Sequence, residues 1–232
     1  MYEAQFPPQT SPRPFSEIPG LWTKVLQMTE DFFAQEAPRA SGSNTLIGVV
    51  ILAVISAVLA AISSLAGGGL QMAGMPAEYR ETFATSMGGL LMCSLCTGLI
   101  GTVIGFYLGN GLIYLGARVL GGTGSFGPQA YLQSLFGVPL GIVISVVSLV
   151  YAIPVAGPCI GAMAVLALAI YSLVLNVRAV KVVHNLTGGR AFVAIILWPA
   201  VLFLVVACLA VVTLALLGPA INDVFENIVT NI

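Results

Sequence analysis

Charge is scarce in this sequence. Only 7% of its 232 residues are charged and 58% are hydrophobic, whereas a soluble domain carries about 25% charge. So few charges cannot cover the surface of a water-soluble fold of this size. The formal net charge is −1, so no long-range field draws in nucleic acid, and none is expected as a partner. All nine carboxylates fall outside the long apolar runs. A proton-coupled pump needs an ionisable group near the membrane midplane, and the runs offer none. There is one histidine, His184. It lies near Arg178 and Lys181 with no acid close in sequence, so the base and orienting acid of an activated nucleophile are missing. No catalytic residue is assigned. Four cysteines, Cys93, Cys96, Cys159 and Cys208, all lie in apolar runs. Cys93-Ser-Leu-Cys96 has a metal-like spacing but lacks two further ligands; all four read as buried small hydrophobes. Neither metal nor cofactor is expected. Residues 1–15 hold one acid, Glu3, four prolines and no apolar core, unlike a signal peptide.

What is present is a series of membrane-length apolar stretches. Five spans are expected, at 45–66, 88–117, 134–155, 158–180 and 192–217. The second has no charge and at 1.5 Å per residue would extend about 45 Å, enough to cross a ~30 Å hydrocarbon core. Gly101, Gly105 and Gly109 step by four along it and share one helix face. Small residues let a second backbone approach in lipid, so these three read as a helix-packing face. Gly67–Gly69 is expected to end the first span, and 76–87 to form a separate surface helix with Pro76 at its start. Pro154 and Pro158 bracket a turn; without it residues 134–180 would make a helix of about 70 Å.

Both ends read as amphipathic. Leu21, Val25, Met28 and Phe32 recur at helical spacing between Ser16 and Ala37 with Trp22, Leu26 and Phe33 beside them, and Trp22, Phe32 and Phe33 read as anchors at headgroup depth; the same moment would serve a cytosolic partner helix. Trp198 is a further interfacial anchor. At the other end Ile221, Val224, Phe225 and Ile228 line one face of a short helix. The domain plan is thus a cytoplasmic segment 1–43, a five-span region 44–218 and a tail 219–232: an all-α polytopic membrane bundle. Seven of the eight basic residues then fall on the side of the N-terminus, and Arg80 alone on the other. The positive-inside rule puts the N-terminus in the cytoplasm and the C-terminus outside. Arg118, Arg178, Lys181 and Arg190, gathered on that side, are candidates for an anionic lipid headgroup.

Three stretches resemble the Yip domain family, the Ypt/Rab-interacting integral membrane proteins. FYLGNGLIYLGARVLGGTGSFGPQAYLQ, Phe106 to Gln133, is similar to the family's second span with its glycine-glycine loop and re-entering Ala-Tyr segment. YSLVLNVRAVKVVHNLTGGRAFVAIILWPA, Tyr171 to Ala200, is similar to its fourth span, basic turn and fifth span. LWTKVLQMTEDFF resembles the leader of prokaryotic members. The acidic Asp-Leu-Tyr-Gly-Pro type motif that precedes the first span in eukaryotic members is absent, and Phe126-Gly-Pro128 lies elsewhere, so a Rab-type GTPase is not expected as partner. The resemblance implies a non-enzymatic protein of a prokaryotic inner membrane, acting in membrane organisation or as an interaction scaffold for another membrane protein. The alternatives are an accessory subunit of a larger complex, a permease for a neutral solute and, in a eukaryote, an ER or Golgi location.

Overall fold

The computed structural model describes residues 11–153 and 156–230. The expected turn at Pro154 lies outside the described residues, as do residues 1–10; the side chains of the C-terminal tail are likewise outside the description. Among the described residues seven α-helices follow one another: α1 Ile18–Trp22, α2 Glu30–Glu36, α3 Gly42–Ala73, α4 Ala77–Val119, α5 Phe126–Val147, α6 Ala156–His184 and α7 Gly188–Thr230. The last five each contain a stretch long and apolar enough to cross a membrane. The chain is an all-α polytopic membrane protein, as its composition requires.

Element ends follow local chemistry, and several differ from the sequence-based expectation. The first spanning helix runs through Gly67–Gly69 to Ala73. Glycine weakens a helix but does not block it, and in lipid an unwound turn would leave backbone groups without partners. Gly68 has a packing reason as well, because the Met87 side chain occupies the place a Cβ would take. The expected surface helix 76–87 is continuous with the second span in a 43-residue α4, and Pro76 caps it rather than opening it. The tail is likewise no separate helix: the backbone of α7 continues to Thr230. The four cysteines are all exposed on outward helix faces rather than buried, and in a bilayer such faces meet lipid.

Two helix ends are closed by the same device. Gly121, at φ +88°, follows α4; Gly122 N donates to Ala117 O and Gly121 N to Arg118 O. This pair of bonds satisfies the last carbonyls and requires a left-handed residue, which glycine supplies. At the end of α6, Asn185 takes that role at φ +53°, and Leu186 N donates to Lys181 O.

The spanning helices alternate in direction. α3 and α5 run parallel in contact: Leu52 lies against Gly141, and the Ser56 and Ser145 hydroxyls are 2.8 Å apart. α5 and α6 form an antiparallel pair joined through a 3-10 turn at Ser148–Ala152, with Tyr151 lying over Gly161. The starts of α3, α5 and α7 and the ends of α4 and α6 therefore share one end of the bundle, and the basic residues are concentrated there.

The stretch from Ser16 to Ala37, expected as a single amphipathic helix, is broken into α1, α2 and three 3-10 turns that together occupy 15–39. Met28 and Thr29 are extended, and the Thr29 hydroxyl caps α2 by accepting from Phe32 N. The apolar face of this segment is buried within the chain. Ile18, Leu21, Met28, Phe33 and Ala37 form one core with Tyr131, Leu132, Leu135, Phe136 and Leu140 of α5 and Leu175, Ala179 and Val183 of α6.

Candidate functional site at the basic end

The first layer of this site is a buried polar chain joining α4, α5 and α6. Gln129, in the first turn of α5, donates from Nε2 to Asn110 O at 2.9 Å, and its Oε1 lies 2.8 Å from His184 Nε2. A carbonyl only accepts, so the amide nitrogen must face Asn110 and the amide oxygen must face His184. The imidazole then carries its proton on Nε2. Asn110, Gln129 and His184 are all buried; His184 Nδ1 and Asn110 Oδ1 have no protein partner. The Asn110 amide donates to Phe106 O, one turn back in its own helix. One turn deeper, Gln133 donates to Asn176 Oδ1 at 2.8 Å and ties α5 to α6 again.

The connection from α4 to α5 presses onto this layer. Thr123 N donates to His184 O, and Asn185 Nδ2 to Thr123 Oγ1. A Cβ on Gly122 would lie 2.9 Å from His184 Nδ1, and one on Gly124 would overlap Val183 O. The glycines of this loop thus allow the loop to lie flat on the end of α6. Arg118 is 5.9 Å over the Tyr114 ring and donates to Gly122 O at 3.3 Å.

The second layer is the N-terminal segment, held by side chains of the bundle. Glu36, buried at 4% exposure, accepts from Arg13 Nε at 3.0 Å and Nη2 at 2.5 Å, and from Tyr131 Oη at 3.4 Å. The hydrogen bond to Glu36 raises the Arg13 pKa above its ordinary value against the opposing effect of burial. Three further donors reach main-chain carbonyls: Asn44 Nδ2 to Arg13 O, Tyr171 Oη to Val25 O and Arg178 Nη1 to Met28 O. Lys181 pairs with Glu30 at 2.6 Å.

The residues singled out from sequence are distributed as follows. Arg178 and Lys181 engage the N-terminal segment, Arg118 engages Tyr114 and the loop, and Arg190 lies exposed at the start of α7. Phe33 is fully buried, Phe32 is partly buried beside it, and Trp22 packs near Gly48 and Val138. Trp198 is half-buried, with its Nε1 enclosed and unpartnered. Around Gly101, Gly105 and Gly109 an added Cβ would meet nothing within 4 Å. Sequence reasoning missed Gln129, Glu36, Tyr131 and Gly116. Gln129 and Gln133, one turn apart beside an apolar run, were the available signal for the first; Gly116 lay off the four-residue ladder.

Chemically, the arrangement holds segments together. Among the described residues no three His, Cys, Asp or Glu side chains gather as metal ligands would. Arg13, Asn44, Tyr171, Arg178 and Lys181 are spent on carbonyls and carboxylates of the chain itself.

Residues 24–209 match the Yip1 domain family. The chain belongs to the Yip1 domain family. The matched region takes in the N-terminal segment from Lys24 onward, the glycine loop and the polar layer, whereas Arg13 and α1 precede it. No similar protein was found among curated proteins and no similar fold among solved structures.

Proposed function

We propose that this Yip1-domain chain is a non-enzymatic integral membrane protein that acts in membrane organisation or as an interaction scaffold, and that the glycine ladder of α4 receives a helix of another membrane protein. One contrast within α4 carries the reading. At Gly116, where α4 packs inside the chain, a Cβ would lie 2.6 Å from Ala194 O, whereas around Gly101, Gly105 and Gly109 the space is open. Glycine at a crowded crossing serves packing; three glycines on one open face suit a crossing with another chain. The Lys/Arg excess supports a cytoplasmic basic end and an external C-terminus, and the Trp-to-Phe leader supports a prokaryotic cell membrane. Arg118 and Arg190 are the better placed of the four basic candidates for anionic headgroups, since Arg178 and Lys181 hold the N-terminal segment.

Affinity purification in mild detergent tests the scaffold. The expected result is a stoichiometric membrane partner retained by the native chain and lost on Gly105→Leu. A chain that purifies alone and moves a neutral solute in liposomes would instead make it a permease.

A further inference from the structure

The N-terminal segment does not lie flat across the end of the bundle, as its hydrogen-bond register against the helices makes clear. Its two limbs meet at the mouth: Arg13 pairs with Glu36, and Asn44 in the first turn of α3 donates to Arg13 O. From there the chain descends. The Trp22 ring and the Val138 side chain each lie 3.5 Å from the Cβ position of Gly48. Gly48 is six residues into α3 and Val138 twelve into α5, about 9 and 18 Å along their helices. The chain turns at Val25, whose carbonyl accepts from Tyr171 Oη. It then climbs along α6: Met28 O accepts from Arg178 and Glu30 pairs with Lys181. Tyr171 lies ten residues before Lys181, about 15 Å along the axis, less the reach of the tyrosine ring.

At the turn, Leu26 is 77% exposed, and it is the one exposed large apolar side chain among residues 11–39. Lys24 beside it is exposed as well. α6 has 29 residues, about 43 Å of helix against a ~30 Å hydrocarbon core. A tip well below Lys181 therefore reaches the boundary between headgroups and acyl chains. A leucine at that boundary buries its side chain in lipid while a neighbouring lysine extends its ammonium to the phosphates.

We propose that residues 13–36 form a re-entrant wedge whose tip, Leu26 with Lys24, seats in the lipid leaflet at the basic end. The aromatic residues expected as anchors are turned into the protein, and Leu26 takes the membrane contact in their place. The test uses the full chain in nanodiscs, with Cys93, Cys96, Cys159 and Cys208 replaced by Ser and an environment-sensitive fluorophore on Leu26→Cys. Ser16→Cys and Gln35→Cys, exposed near the mouth, are the comparisons. The expected result is blue-shifted emission at position 26, quenched by brominated lipid, with positions 16 and 35 reporting water. Emission at 26 as solvated as at 16 and 35 would overturn the proposal. In the chain with its native cysteines, Leu26→p-benzoylphenylalanine is expected to capture lipid on illumination; capture of protein alone would overturn it equally.

Discussion

Gly116→Ala is the most informative single change in this fold. Gly116 sits where α4 crosses α7, and its new Cβ would lie 2.6 Å from Ala194 O and 3.3 Å from the Ala194 carbonyl carbon and Cα. All three are backbone atoms, so no side chain can swing away. Ordinary contact begins near 3.4 Å, so the two helices must separate by about 0.8 Å or tilt. That separation loosens the core of Ala117, Val180, Leu186, Ala191 and Ala194, in which every member is buried. Overpacking of this kind costs about 1–3 kcal/mol. Gly105→Ala, on the same helix, meets nothing within 4 Å and should be neutral or stabilising by up to about 1 kcal/mol, because glycine is the poorer helix former. Both variants should be unfolded by denaturing detergent from mixed micelles, with circular dichroism as the signal. Equal stabilities for the two alanine variants, or a less stable Gly105→Ala, would refute the assignment of the α4–α7 crossing.

Phe33→Ala removes a fully buried ring that stacks edge-on against Phe136 at 6.0 Å. It should cost about 3–5 kcal/mol, read as faster hydrogen exchange in residues 30–36 with the spanning helices unchanged. Gln129→Leu leaves His184 Nε2 buried without a partner and removes a second bond to Asn110 O, at about 1–3 kcal/mol for the orphaned imidazole N–H; detergent unfolding measures it, and a change within about 0.5 kcal/mol would contradict the polar layer. Lys181→Ala should cost less than about 1 kcal/mol, since both partners of its ion pair with Glu30 are more than a third exposed and solvent screens the pair. A larger loss on the same assay would show that this contact carries more of the docking than its exposure allows.

The number of spans and their order were legible because lipid imposes a simple rule: an uncharged run of about twenty residues has one stable place in a bilayer. The helix ends were less legible. Gly67–Gly69 and Met87–Gly88 looked like stops, yet the ends of α4 and α6 are made by a left-handed residue whose neighbour recaptures the last carbonyls, as at Gly121 and Asn185; a glycine inside a helix carries no such signature. The N-terminal segment was read as amphipathic, and it is. The periodicity of Leu21, Val25, Met28 and Phe32 could not say that the apolar surface awaiting it lay on α5 and α6 of the same chain. The bonds that decide this, from Asn44, Tyr171 and Arg178 to main-chain carbonyls, join residues up to 150 positions apart and leave no local pattern. Regular spacing picked out Gly101, Gly105 and Gly109, whose face is open within the chain, while the crossing inside the chain uses Gly116, which no four-residue step marks.

The account rests on five crossings of one bilayer, which place the two ends of the chain in different compartments. Paired topology reporters fused at Met1 and at Ile232 measure this directly: a reporter active only in the cytoplasm and one active only outside it should light up at opposite ends, the cytoplasmic one at Met1. Both ends reporting the same compartment would contradict the bundle, the basic end and the wedge together.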